Sequence, residues 1–340
     1  MLLSNLFALD LTLISSLPLS GFNKGVGQRI KNGANLYFDD YNAKNVNKIN
    51  FVVYDDASNQ DKFKHNILTH ISGASAVFMP VDTVDIRQIV PEILSNKLVV
   101  FSPVSGANFL DFKVFECVIN TRATFEFEME SLVDYFYTKN LKKISLVYQS
   151  GEHGEEAYNS LAQALDKRGL KIYSSISYKK NSNVTEPILE NIVQEDSDVV
   201  IFALLNDTAV DIVSKLEDFN VGSKFVFLGD ADLTNLKKPW RVFISTFTPS
   251  FNNSKNLANL YKKLAMQKNL KPNELSYAAF LNAFLISKVF EETKFNAHSK
   301  KNFINKAKKV IDKYKFFNTN YIIKFDENTS GKIVYQRTKP

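Results

Sequence analysis

Apolar runs of strand length alternate with helix-period patterns along most of this 340-residue chain, and that alternation constrains its fold more than any single motif. Repeated strand–helix–strand units build parallel sheets, because two parallel strands need a crossover long enough to hold a helix on the sheet face. In the first half the runs Leu11–Leu17, Ile49–Tyr54, Ala76–Phe78 and Leu98–Phe101 predict strands, with helices over Val26–Tyr41, Asp61–Ile71 and Asp85–Leu94. In the first of these helices Ile30, Ala34, Tyr37 and Phe38 recur three or four apart and face the sheet, leaving Arg29, Lys31, Asn32 and Asp39 in water. The middle repeats the scheme, with strands Ile144–Tyr148, Ile172–Ile176, Val199–Phe202 and Phe225–Leu228 and helices Phe125–Tyr137, Glu155–Arg168, Glu186–Gln194 and Ala209–Phe219. Gly169 after Lys167-Arg168 is a helix stop, and Asp207 is placed to cap the helix that follows it.

Beyond residue 245 the pattern changes to three successive helices, Lys255–Met266, Leu275–Thr293 and Asn302–Tyr314, followed by strands Tyr321–Phe325 and Ile333–Gln336. Helices in succession cannot extend a parallel sheet, so they pack back onto an earlier unit. At least one domain is then discontinuous and the chain crosses between units more than once. No Gly/Ser-rich or Pro-rich linker separates the halves. The predicted fold class is α/β, two doubly wound Rossmann-like lobes joined by a hinge of several crossovers.

With 45% hydrophobic and 23% charged residues, the chain can fill two cores and disorder is not expected. The net charge of +6 comes from short clusters such as Lys142-Lys143, Lys237-Lys238 and Lys306 to Lys309, each beside acidic or apolar neighbours, which suits solvated helix faces rather than nucleic acid. Cys117 is the only cysteine. That excludes an internal disulfide, a cysteine-ligated zinc and a redox pair, and it lies too late in the chain for a lipid anchor. It is expected to be buried in a strand over Val114–Val118. Residues 1–8 are apolar and end on Ala8, which resembles the end of a secretory signal, so export is expected. Asn282 and Ser287 interrupt the most apolar helix, Tyr277–Phe290, leaving no run of the roughly 18 apolar residues that span a bilayer.

Catalytic motifs are missing. His65, His70, His153 and His298 show no metal-ligand spacing, and neither a Gly-x-Ser-x-Gly elbow nor a phosphate-binding P-loop occurs. Gly21, Gly25 and Gly27 lack the third glycine of a dinucleotide fingerprint and are read as a tight turn that leaves room for a ligand. No cofactor is expected. In open α/β sheets ligands gather beyond the strand C-termini, and the loops there carry Thr83, Ser105, His153, Asn206, Asp230 and Asp232. Such hydrogen-bonding groups suit holding a polar solute better than transforming one. Equally, Thr83 and Ser105 can serve as helix caps and the two aspartates as turn caps.

Leu17-Pro18-Leu19-Ser20-Gly21, Gly27-Gln28, Asn32-Gly33-Ala34 and Val53-Tyr54-Asp55-Asp56 together resemble the opening of the leucine/isoleucine/valine-binding proteins, type I periplasmic binding proteins of ABC transporters. The likeness continues through Ala74–Met79, Val99–Pro103, Ser145–Gly154, Phe227-Leu228-Gly229-Asp230, Ser276-Tyr277-Ala278-Ala279 and Phe325-Asp326-Glu327 with Gly331. It implies an N-terminal lobe of residues 9–120 plus 247–318 and a C-terminal lobe of 121–246 plus 319–340, after a signal remnant of 1–8, with crossovers near Asn120-Thr121, Ser245-Thr246 and 318–321. It further implies a periplasmic, monomeric, non-catalytic receptor that closes on a small polar ligand such as an amino acid and delivers it to a membrane permease. Of the family's contacts, a hydroxyl is kept at Thr83 and a small or hydroxyl residue at Ser105-Gly106. The family's aromatic contacts fall on Val26, His153 and Leu205, and its acid falls at or beside Ala231, where Asp230 or Asp232 must serve. The departure from the aromatic pattern leaves two readings open against a cytosolic enzyme: a transport receptor for an amino acid or related small polar solute, or an envelope interaction or sensory module with a degenerate cleft.

Overall fold

The computed structural model describes residues 10–95, 98–110, 117–179, 185–204, 208–217, 219, 221–229, 236, 241–252, 255–293, 300–314, 319–325 and 331–338. Two sheets divide the strands between them. The first is wholly parallel and built from β1 (Leu11–Leu17), β2 (Ile49–Asp55), β3 (Ala76–Phe78), β4 (Val100–Phe101) and β5 (Val118–Ile119), in the order β2-β1-β3-β4-β5. Helices α1 (Lys24–Lys44), α2 (Gln60–His70) and α3 (Thr83–Ser95) make its crossovers. After α4 (Phe125–Thr138) the second sheet collects β6 (Ile144–Gln149), β7 (Ser175–Tyr178), β8 (Val199–Ala203), β9 (Lys224–Leu228) and β10 (Val242–Thr246) in parallel. Its crossovers include α5 (Glu152–Asp166), α6 (Thr185–Glu195) and α7 (Thr208–Leu216). An antiparallel pair, β11 (Thr319–Phe325) and β12 (Gly331–Thr338), completes the order β12-β11-β10-β9-β8-β6-β7.

The late helices α8 (Asn256–Gln267), α9 (Glu274–Glu292) and α10 (Lys300–Lys313) join the core of the first sheet, where Tyr261, Phe280, Phe290 and Phe303 are buried with Ile30, Phe38 and Phe78. Burying each such side chain stabilises the fold by roughly 1.5–3 kcal/mol relative to leaving it exposed, so a segment late in sequence is tied to the first sheet by its own apolar face. On α9 both flanks and the sheet side are buried, which explains why its sequence is apolar almost throughout. No helix among the described residues is long and apolar enough to cross a membrane.

Three expectations shift. The strand expected over 172–176 runs instead from Ser175 to Tyr178, because it is an edge strand whose pairing with β6 is set by Leu146–Gln149 rather than by its own apolarity. A buried strand, β10, forms over Val242–Thr246 where only a crossover was expected. Helix α5 begins at Glu152 and α3 at Thr83, each two or three residues earlier than predicted, so His153 and Thr83 sit in first helical turns rather than in loops. In α3 the cause is Asp82, whose Oδ1 accepts the Val84 N–H at 3.1 Å and caps the helix, the role weighed above for Thr83. The predicted stop at Gly169 holds: its φ is +68° and its N–H closes on the Asp166 carbonyl at 2.9 Å. Asp207 lies outside the described residues, as do 1–8 and most of the strand expected around Val114, although Cys117 itself is fully buried and burial pushes its thiol pKa up.

Candidate functional site: the interlobe cleft and its hinge

Each sheet reverses its strand order once within its parallel part, between β1 and β3 in the first and between β6 and β8 in the second. At such switch points the connections leave in opposite directions and open a crevice at the strand C-termini. The segment from Met79 to Thr83 leaves the first crevice and the segment from Ser150 to His153 leaves the second, and the two meet. Thr83 Oγ1 lies 2.7 Å from Ser105 Oγ and 3.4 Å from His153 Nδ1, and all three side chains are buried. Ser105 Oγ also accepts the Ala107 N–H at 3.2 Å, so it serves as a turn cap as well as a partner of Thr83. Gly106 belongs to the same cluster. Its carbonyl accepts the Phe125 N–H at 2.7 Å, and a Cβ on it would come within 2.8 Å of the Phe125 ring, which in turn meets the His153 ring edge-on at 5.0 Å.

Thr83, Ser105, Gly106 and His153, singled out from the sequence, are thus brought together from distant parts of the chain. Asn206, Asp230 and Asp232 lie outside the described residues. Of the other histidines, His65 is exposed on α2, whereas His70 stacks on Tyr54 at 3.9 Å between ring centroids and its Nδ1 lies 2.9 Å from the Asn66 carbonyl. Among the described residues no group of histidine, cysteine and acidic side chains could hold a metal ion.

Charged contacts flank the buried cluster. Arg87 on α3 reaches Glu152 on α5, with Nε 2.7 Å from Oε1, and its guanidinium lies 3.8 Å from the centre of the Phe109 ring. One turn on, Glu156 Oε2 accepts the Asn108 N–H at 2.9 Å. Burial raises the Glu156 pKa and neighbouring Glu152 adds to the rise, against the pull of the Asn108 N–H and Arg87. On the loops that follow β1 and β2, Asp55 takes four hydrogen bonds, from Ser20 Oγ and from the N–H groups of Leu19, Ser20 and Ala57. Burial by itself would raise its pKa, but these donors together outweigh it and hold the carboxyl at about 2.

Behind the cluster, where the chain passes between the sheets at 120–122 and 246–248, sequence reasoning missed a polar knot. Asn282 Oδ1 accepts from Ser102 Oγ at 2.7 Å and from Thr121 Oγ1 at 2.8 Å, which joins α9 to the end of β4 and to the first crossover. The only signal was a lone asparagine in an apolar helix, and it was read as an interruption. Arg122 is the second omission. Its Nη2 donates to Glu128 Oε2 at 2.9 Å, and its guanidinium lies 4.8 Å from the Phe247 ring and 5.4 Å from the Phe125 ring. Arg122 therefore links the first crossover to the second, and together with Ser102, Thr121 and Asn282 it lines a cavity of about 40 Å³.

Two parallel-dominated α/β units, whose strand C-termini meet at the Thr83, Ser105 and His153 cluster, have the architecture of a binding protein of the clamshell kind. The comparisons place it more closely: the periplasmic binding protein family matches residues 15–329, and the chain belongs to that family. A possible leucine/isoleucine/valine-binding protein from Rhodopirellula baltica SH 1 is 17% identical and superposes with a TM-score of 0.83 over 98% of each chain. A branched-chain amino acid ABC transporter protein from Thermus thermophilus, solved with bound valine, is 12% identical with a TM-score of 0.82 over 97% of each chain. An uncharacterized protein of Methanocaldococcus jannaschii is 24% identical over 178 residues, covering 50% of this chain but only 43% of that protein. The leucine/isoleucine/valine-binding-type resemblance and the two-lobed α/β fold expected from the sequence are those of the structure, and the chain is a binding protein rather than an enzyme.

Proposed function

We propose that this protein is an exported receptor which closes on a small polar solute, an amino acid or a related compound, between lobes of residues 9–120 plus 247–318 and 121–246 plus 319–340, and hands it to the permease of an ABC transporter. The observation that carries the reading is the cluster of Thr83, Ser105 and His153, where α3 of one unit and α5 of the other bring hydrogen-bonding groups to one buried point. A solute that satisfies these groups in the closed arrangement favours closure by its differential affinity for that state. The valine held by the Thermus thermophilus neighbour supports the amino acid class, and Asp230 or Asp232 is the proposed partner of its ammonium group. Without such a carboxylate a buried ammonium is strongly disfavoured.

The test is a thermal-shift screen of the purified protein against amino acids, short peptides, carboxylates and polyamines. A ligand that binds only the folded state raises the melting temperature by mass action, by an amount set by about RT ln(1 + [L]/Kd). A saturable shift that Thr83→Val weakens supports the receptor reading. No shift across the panel refutes it and leaves the envelope interaction module as the account of this fold.

A further inference from the structure

The hinge cavity carries an arginine whose donors the described residues use only in part. A guanidinium offers five N–H donors, and Arg122 spends one side-chain bond, from Nη2 to Glu128. Its Nε is buried with no hydrogen-bond partner, and no described residue accepts from Nη1, which lies 3.9 Å from the point where a side chain on Gly229 would begin. The group packs against two aromatic rings, with its central carbon 5.4 Å from the Phe125 centroid and 4.8 Å from that of Phe247. Around it the cavity wall offers the hydroxyls of Thr246 and Thr248, 3.2 Å apart, beside Ser102, Thr121 and Asn282, and no described acidic residue lines it. Glu128 bonds the guanidinium at Nη2, leaving Nη1 and Nε as the ends not engaged by it.

The cavity also touches Val104, the residue before Ser105, so a group seated there adjoins the Thr83 cluster.

We infer that Arg122 is a ligand-binding residue whose guanidinium, with the hydroxyls of Thr246 and Thr248, receives the carboxylate of the solute at the hinge end of the cleft. The substrate class is therefore a small carboxylic acid. This rests on the receptor reading above and deepens it: cationic solutes and uncharged ones lack the group that Arg122 takes. The arrangement also couples binding to closure, because Arg122 stands on the first crossover and Thr246 to Thr248 on the second.

The experiment compares carboxylates with their uncharged isosteres by titration calorimetry: acetate, propionate and benzoate, and the amino acids that shift the melting temperature, against acetamide, propanamide, benzamide and the matching amino acid amides. Putrescine serves as the cationic control. The wild type is expected to bind at least one carboxylate and to bind its amide at least about tenfold more weakly, since a charge-assisted bidentate contact is replaced by a neutral one. Arg122→Lys is expected to weaken the carboxylate about tenfold or more and the amide by much less, so that the preference for carboxylate over amide falls. Because removing Arg122 alone strands Glu128, the double variant Arg122→Met with Glu128→Gln provides an uncharged pair of similar shape, and it should lose the preference for carboxylate over amide. Carboxylates that bind the wild type and both variants equally would overturn the inference while leaving the receptor intact, as would a protein that binds only amides or putrescine. Absence of any binding would overturn both.

Discussion

Helix α1 approaches α9 so closely at Gly33 that a Cβ there would lie 1.9 Å from the Ser276 carbonyl oxygen and 2.6 Å from its carbon. Since non-bonded atoms rest about 3.5 Å apart, Gly33→Ala must push the two helices apart by about 1.5 Å, and the obstacle is backbone that cannot rotate aside. Against this, alanine gains about 1 kcal/mol of helix propensity over glycine within a helix. Overpacking a tight contact costs about 1–3 kcal/mol, occasionally more. Steric cost should win by about 2 kcal/mol, because the separation also loosens the packing of Tyr37 against Phe280 and Phe284, now at 5.3 and 5.8 Å between ring centroids. In a lobe of this size each kcal/mol shifts the midpoint by about 2–4 °C, so the melting temperature should fall by about 4–8 °C. Scanning calorimetry of the ligand-free protein reads the change directly, with the loss confined to the unit that holds the first sheet if the two units melt separately. A variant as stable as the wild type, or more so, would mean that propensity wins and that α9 does not pack on α1 as described; the argument for a discontinuous first lobe would fail with it.

Two further outcomes follow from the cleft. Arg87 and Glu152 are 50% and 28% exposed in their side chains, so their pair belongs with surface ion pairs worth about 0.2–1 kcal/mol. Arg87→Ala should weaken the apparent affinity for ligand only about two- to fivefold, and less at high salt, by disfavouring closure; an unchanged affinity at low ionic strength would show that the pair does not act across the cleft. Asp55 has a folded pKa of about 2, below its unfolded value, so the stability it contributes is present above about pH 4 and is lost as pH falls toward 2. Asp55→Asn should therefore melt lower than the wild type at neutral pH and show less acid destabilisation between about pH 4 and 2, and parallel melting curves across that window would contradict the assignment.

Much of the fold was legible because the central strands are buried on both faces and most helices on one, so their periods differ along the chain. Where local pattern and tertiary role diverge, legibility fails. Val242–Thr246 has too few apolar residues to stand out, yet it becomes a fully buried strand because β9 and β11 flank it on either side. The site follows the same division. Thr83, Ser105, Gly106 and His153 could be named because strand C-termini in such sheets are where ligands gather, a rule that works on local order alone. Arg122 and Asn282 could not, because what makes them matter is Phe247 in one case and Ser102 with Thr121 in the other, partners more than a hundred residues away in sequence.

Closure on a ligand is the central claim, and a distance between the units tests it most directly. Lys62 on α2 and Glu155 on α5 are exposed positions in the first turns of helices that start at the cleft edges. With Lys62→Cys and Glu155→Cys spin-labelled, and Cys117 buried away from the label, pulsed dipolar spectroscopy measures the separation of the units in solution. Adding a saturating amount of the best ligand from the thermal-shift screen should shorten the mean distance and narrow its distribution. An unchanged distribution at saturation would contradict a receptor that works by closing.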